Sequence, residues 1–325
     1  MPALKPFLLE RKSLAKVWGG RALEQIFQMQ LPAGEAIGET WELFDRPEGS
    51  SRVRGSDATL GGLMRDARTE LLGRGVAAGY GGRFPLLLKF VDARDALSVQ
   101  VHPDDAQAAG EGDSGKNEAW VVLHVGPAGR IIRGLRPGVD RASFAATAHT
   151  AEVESMLWSF TPQVGDTIHV PPGTVHAIGP DVVVFEVQQN SDVTYRLYDW
   201  GRPREVHVQK ALGVLRHGDN GAAVAERPVV APTALPDGGR LLVTTPHFRL
   251  RRYDLTRPYT LATQGRYLVL TAVGGRGMLG WRSGGADVPI QMVAGDTAVV
   301  PACVDSVFVS PLGRLDVVAS DPGEP

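Results

Sequence analysis

A single cysteine, Cys303, stands in this chain of 325 residues. No intrachain disulfide can staple the fold, and a reducing, cytoplasmic setting suits it. Long apolar runs are missing as well. No stretch approaches the roughly 20 residues of a membrane span, and Phe7-Leu8-Leu9, followed at once by Glu10-Arg11-Lys12, is too short for a signal-peptide core. Neither sign of charge is in excess: 34 basic residues face 36 acidic ones, for a net charge of −2. That balance leaves no electrostatic footprint for nucleic acid or an anionic membrane. A small molecule is the expected partner, and local Arg and Lys side chains can still grip a phosphate. No feature demands an obligate assembly, so a monomer or weak homo-oligomer is expected.

Turn formers are abundant, with 39 glycines and 23 prolines, and they separate short, Val-rich apolar runs. Examples are Phe84–Val91, Ala119–Val125, Asp181–Val187, Tyr267–Leu270 and Asp296–Val300. Many such strands predict a mainly β protein of sandwich or barrel type. Helices are few: Thr59 to Leu72 and Ser143 to Phe160 are candidates at the edge of the β core. A Gly/Ala/Pro/Asp-rich stretch from Arg216 to Asp237 reads as a linker. The expected division is a site-bearing domain over 1–225 and a smaller β domain over 226–325.

An internal echo supports two related domains. Gly165-Asp166-Thr167-Ile168-His169-Val170-Pro171 recurs as Gly295-Asp296-Thr297-Ala298-Val299-Val300-Pro301. Carried forward, His176 falls on Ser306, and matching Trp120–Gly126 with Leu268–Gly274 puts Arg266 opposite Glu118. The second copy would then keep a scaffold without a metal site, although turn chemistry alone could produce the same echo twice.

The densest chemistry lies between Leu97 and Glu118. Leu97-Ser98-Val99-Gln100-Val101-His102 alternates strictly, as a half-buried strand does. Ser98, Gln100 and His102 then share one face, and Leu97, Val99 and Val101 the other. A buried row of Ser, Gln and His is costly unless each finds a partner, and a metal or polar ligand would supply one. Glu118 follows in Gly115-Lys116-Asn117-Glu118, and a second histidine follows a tight turn in Val170-Pro171-Pro172-Gly173-Thr174-Val175-His176. Taken singly, His102 would be a satisfied structural histidine and Glu118 a surface acid. Gln100, His102, Glu118 and His176 together make a plausible mixed N/O site for a divalent metal. His124 and His169 compete for the role.

A second patch runs from Glu186 to Arg196, where a glutamate near the end of an apolar strand is followed by a polar loop and an arginine suited to phosphate. It could equally be a solvated hairpin. Arg202 and Arg204 stand close by as rim charges, and Lys116 could place a positive charge beside the metal.

At these residues the chain resembles the type I phosphomannose isomerases in their shorter bacterial form. The matching pieces are Lys89, Ser98–Asp105, Gly115–Trp120, Val170–Ala177 and Glu186–Arg196, with Val17–Gly20 and Gly38–Glu42 as further blocks. The resemblance implies two cupin-like jelly-roll barrels and one zinc held by Gln100, His102, Glu118 and His176, although the same donors also suit manganese, cobalt or iron. It implies Arg196, Lys116 and Glu186 as catalytic residues, with Ser98, Lys89 and Arg196 binding substrate. The implied reaction is interconversion of mannose 6-phosphate and fructose 6-phosphate through an enediol. An isomerase or epimerase of an unphosphorylated sugar, and a non-catalytic sugar-sensing cupin, are the competing readings. There is no room for the large helical insertion of the fungal and animal enzymes.

Overall fold

A computed structural model describes residues 4–79, 82–216, 228–282 and 289–323. The architecture is mainly β, as expected, with short helices at its edges. Two antiparallel sheets face each other in the N-terminal part. One has five strands, in the order Leu157–Phe160, Ile131–Leu135, His176–Ile178, Val99–Val101 and Tyr195–Tyr198. The other has six, in the order Thr167–Val170, Glu118–Val125, Val182–Gln189, Leu86–Ala93, Lys12–Gly20 and Ile37–Leu43.

Alternation along these strands sorts the side chains into layers. Trp18, Val91, Trp120, Val122, Ile168, Val170 and Val184 pack in the space between the sheets. Val99, Val101, Ile132, Ala177, Tyr195 and Leu197 point out of the five-stranded sheet, where Phe144, Val153 and Ala211 cover them. Leu88, Phe90, Val121, Phe185 and Val187 point out of the back of the six-stranded sheet. There they meet Leu242, Phe248, Leu250, Tyr267, Val269 and Val318 of the C-terminal part. The two parts are joined through an apolar layer, and the first strand, Phe7–Leu8, pairs with Ala298–Val299.

The C-terminal part is one nine-stranded sheet built on the long strands Leu268–Trp281 and Ser306–Pro322. It wraps round Leu255, Leu261, Leu270, Trp281, Val307 and Val317. Register shifts near Gly274 and Gly275 bend the central pair. Gly275 has φ +74°, and a Cβ there would stand 2.0 Å from the Arg314 carbonyl oxygen, so only glycine fits.

Three sequence expectations are corrected. The candidate helix from Thr59 to Leu72 starts after Thr59, which accepts from the Gly62 amide, but it breaks at Ala67 into Leu60–Asp66 and Arg68–Leu72. The candidate helix from Ser143 to Phe160 is three elements: a helix over Arg141–Thr147, a 3-10 turn over Ala151–Met156 and a strand over Leu157–Phe160. Thr150 and Leu157 are extended, and Leu157 pairs with Leu135, so sheet pairing overrides the local pattern. Leu97 precedes the strand and packs with the inner cluster, not on the outer face with Val99 and Val101. Half of the predicted linker, 217–227, lies outside the described residues, and within its other half Thr233–Ala234 forms a short edge strand.

One buried carboxyl at the junction carries a pH dependence. Burial raises the Glu42 pKa more than the neighbouring Arg11 and Thr40 lower it, up to about 7. A folded-state value above the unfolded one favours the protonated fold below about pH 4.5, and that contribution is lost as pH rises through about 7. Glu42→Gln should therefore raise the melting temperature at pH 8, by an amount corresponding to up to roughly 3 kcal/mol, and change little at pH 4. Melting curves of the two proteins at both pH values check it, and equal shifts at both would refute it.

Candidate metal centre and active site

Two rows of side chains, one on each sheet, define the site. Across the five-stranded sheet His176 pairs with Gln100, and Gln100 with Arg196 on its other side. Across the six-stranded sheet Trp120 pairs with Glu186, Glu186 with Lys89, and Lys89 with Trp41. Strand alternation directs both rows into the gap between the sheets.

His102, Glu118 and His176 converge there, each buried, with their ligating atoms within 4.8 Å of one another. The Glu118 carboxylate lies 3.3 Å from His102 Nε2 and 3.6 Å from His176 Nε2. Both imidazoles use Nδ1 for a backbone carbonyl, Val193 O for His102 and Thr174 O for His176, each at 2.9 Å. Donating to a carbonyl fixes the proton on Nδ1 and leaves the Nε2 lone pairs aimed at Glu118. Burial lowers the His102 pKa to about 3, helped by Lys116, and burial also lowers that of His176, so both rings are neutral. Burial opposes ionisation of Glu118, yet the Lys116 ammonium, 3.2 Å away, holds its pKa well below the usual carboxylate value.

His102 Nε2 and Glu118 Oε2 are buried without a hydrogen-bond partner among the described residues. Orphaned atoms of this kind are expensive, and a divalent cation between them would satisfy both. Gln100 reaches the same point, its amide 3.2 Å from His176 Nε2, and Ser98 Oγ donates to its oxygen at 3.3 Å. A half-turn of that amide would present the oxygen to a cation, and the Ser98 hydroxyl can serve either orientation. Two imidazoles, a carboxylate and an amide oxygen suit a tetrahedral zinc site. The competing histidines are elsewhere: His124 is exposed, and His169 bonds to Asn117 Oδ1 at 2.8 Å on the other face of its strand.

Glu186 lies on the strand paired with that of Glu118 and faces the two histidines from the six-stranded sheet. Its carboxylate accepts from Trp120 Nε1 at 3.0 Å and pairs with Lys89 Nζ at 3.3 Å. Burial raises its pKa, and the nearby charge of Glu118 adds to that against Lys89 and Lys116. Lys89 also approaches Glu39, at 3.9 Å. Burial works against the charge on Glu39, but Lys89 and Lys16 lower its pKa to about 2. Arg196 closes the other side. Its Nη1 donates to Glu205 O, while Nε is buried with no hydrogen-bond partner among the described residues. A cavity of about 280 Å³ touches every predicted site residue except His102 and His176, which contact Glu118 in its lining.

The type I phosphomannose isomerase catalytic-domain family matches residues 7–121. The mannose-6-phosphate isomerase of Streptococcus mutans is 30% identical over 336 residues, 98% of this chain and 99% of that protein. The chain belongs to the type I phosphomannose isomerases. Mannose-6-phosphate isomerase ManA of Bacillus subtilis is 33% identical over 290 residues, 85% of this chain and 86% of that protein. The crystal structure of the mannose 6-phosphate isomerase from Bacillus subtilis aligns with a TM-score of 0.84 at 29% identity, over 98% of this chain and 99% of that one. The phosphomannose isomerase match at 7–121 includes Gln100, His102 and Glu118, while His176, Glu186 and Arg196 come from later strands.

Sequence reasoning missed Glu39, Lys16, Asp192 and Thr194, all of which line the cavity. Glu39 had a signal: in Glu39-Thr40-Trp41 the alternation places Glu39 on the same face as Trp41, whose Nε1 donates to it at 2.7 Å. Lys16 gave none, because its partner Glu39 lies on a neighbouring strand.

Proposed function

We propose that this chain interconverts mannose 6-phosphate and fructose 6-phosphate, with a zinc ion held by Gln100, His102, Glu118 and His176. The observation that carries the reading is the buried His102–Glu118–His176 cluster, in which His102 Nε2 and Glu118 Oε2 have no hydrogen-bond partner among the described residues, beside a cavity that also holds a buried carboxylate and an arginine. The metal would supply Lewis-acid polarisation of the sugar's carbonyl and hydroxyl oxygens. Glu186 takes the proton from C2 and returns it to C1, since burial moves its pKa toward working pH. Neither histidine is free to act as that base, because each Nδ1 proton is given to a carbonyl and each Nε2 faces Glu118. Lys89 and Trp120 orient the Glu186 carboxylate. Lys116 stands beside the metal ligand Glu118 as a positive charge for the enediolate oxygen. Arg196 receives the phosphate or the same developing charge, and Ser98 steadies Gln100.

The reading includes a site-bearing domain over 1–225, a C-terminal domain over 226–325 and a cytoplasmic protein that is monomeric or weakly associated. The one cysteine and the near-zero net charge support it, and among the described residues no helix is long and apolar enough to cross a membrane.

Turnover of mannose 6-phosphate as purified, after chelation and after zinc is restored provides the test. Activity should vanish on chelation and return with zinc. A folded, zinc-loaded protein without turnover would overturn the reading, and turnover of free mannose instead would favour an unphosphorylated sugar.

A further inference from the structure

We infer that the Arg46–Asp113 ion pair is a positioning device for the metal centre, acting through the segment that carries Lys116 and Glu118; this rests on the proposed isomerase reading.

Asp113 sits three residues before Lys116 and five before Glu118, in a segment with no regular structure from Ser114 to Asn117. Its carboxylate ties together pieces of chain that are far apart in sequence, and Arg83 Nη1 also lies 3.6 Å from one of its oxygens. Arg46, at the tight Asp45–Arg46 hairpin, donates to both oxygens, at 3.0 and 2.6 Å. The Ser114 amide donates to one oxygen at 3.0 Å and the Asp192 amide to the other at 3.2 Å. Arg46 also donates to Asn190 O at 2.7 Å. The knot therefore fixes, at once, the approach to Lys116 and Glu118 and the loop that ends at Val193, whose carbonyl holds His102 Nδ1.

Apolar packing does not hold this segment. Gly112, Asp113 and Ser114 line an open cavity of about 630 Å³ on their far side. Polar contacts hold it instead: Gly115 N to Asp105 Oδ1 at 2.8 Å, Lys116 N to Pro103 O at 3.0 Å and Asn117 N to Gln189 Oε1 at 3.0 Å. Among these, only the Asp113 contact is a doubly bonded ion pair, and the Arg46 side chain is 6% exposed. A bidentate, charge-assisted contact restricts both distance and plane, so it transmits position where a single bond would let the segment pivot. Its target needs that precision, since Lys116 Nζ must stay within reach of Glu118 and of the substrate.

Asp113→Asn keeps shape and removes the charge, and Arg46→Met breaks the same contact from the other end. Each is expected to weaken zinc binding, read by competition with a chromophoric chelator, by about tenfold, in the range of other groups that orient metal ligands. With zinc saturating, kcat for mannose 6-phosphate should fall about tenfold or more, with KM within about threefold, because the moved groups act on the reacting atoms. Asp316→Asn is the control: it breaks a similarly half-buried double contact with Arg252 in the C-terminal sheet, and should lower the melting temperature without moving zinc affinity or kcat. Unchanged zinc affinity and kcat in folded Asp113→Asn would overturn the inference, as would equal losses in the control. If the parent protein binds zinc but turns over no mannose 6-phosphate, the proposed reaction fails while zinc affinity still decides the role of the pair.

Discussion

His176→Ala is expected to lose metal and activity together. The side chain supplies one of two neutral Nε2 donors aimed at Glu118, and its ring is held in place by the Thr174 carbonyl. Removing it would leave the proposed four-ligand site with three ligands and a void beside a buried carboxylate. Zinc affinity should fall by at least about a hundredfold. Turnover measured without added metal should fall about a thousandfold, the equivalent of several kcal/mol of lost oxyanion stabilisation. His124→Ala provides the control, because His124 is exposed and belongs to the same Glu118–Val125 strand. It should keep metal and rate. Normal zinc content with normal turnover in folded His176→Ala would remove His176 from the ligand set.

The strand face that carries Gln100 and His102, and the turn before His176, were legible because they are local. Alternation in Ser98-Val99-Gln100-Val101-His102 names one face of one strand without any knowledge of its neighbours, and the turn before His176 announces itself through Pro171, Pro172 and Gly173. Features that depend on pairing between distant strands were not legible. The row Trp120, Glu186, Lys89 and Trp41 crosses four strands and can be read only from register. Trp120 as a donor to Glu186, and Glu39 as a partner of Lys89, were missed for that reason.

The internal echo shows the same limit in finer detail. Both copies place a left-handed glycine before the strand, Gly165 at φ +93° and Gly295 at φ +94°. Both close the turn identically: Gly165 N bonds Val122 O and Val122 N bonds Asp166 O, while Gly295 N bonds Ala272 O and Ala272 N bonds Asp296 O. That pairing makes Ala272 the counterpart of Val122, so the match of Trp120 to Leu268 is two residues out of register. Glu118 faces Val170 and Leu268 faces Val300, so Leu268, not Arg266, takes the place of Glu118. His176 pairs with Gln100 where Ser306 pairs with Ala262. The second copy thus has Leu, Ser and Ala at three ligand positions, and its interior is filled by Leu270, Trp281 and Val307 instead. Two residues of slip preserve the inward face of a strand, which is why the shifted match is still hydrophobically sound.

Arg196→Ala should leave the metal in place and cost most of the turnover of mannose 6-phosphate. Arg196 lies one strand from Gln100 and on the far side of it from His176, so it touches the cavity without reaching the ligand cluster. One guanidinium arm is fixed by Glu205 O, and the buried Nε has no hydrogen-bond partner among the described residues. Burial and the neighbouring Arg204 both lower the Arg196 pKa, so the charge is uncomfortable there until an anion arrives. A dianionic phosphate supplies what Nε lacks, and a guanidinium can offer it two parallel bonds. Truncation to alanine should lower kcat/KM for mannose 6-phosphate by about a hundredfold to a thousandfold. Arg196→Lys should recover only part of that, because an ammonium cannot reproduce the fork. Free mannose separates the two roles left open for this residue. If Arg196 grips the phosphate, turnover of free mannose by Arg196→Ala should match that of the parent protein within about threefold. If it stabilises the enediolate, both substrates should lose rate by the same factor, because the reacting oxygens are common to them. Loss of zinc from the folded variant would contradict either role, since nothing in the geometry ties Arg196 to the metal except its neighbour Gln100.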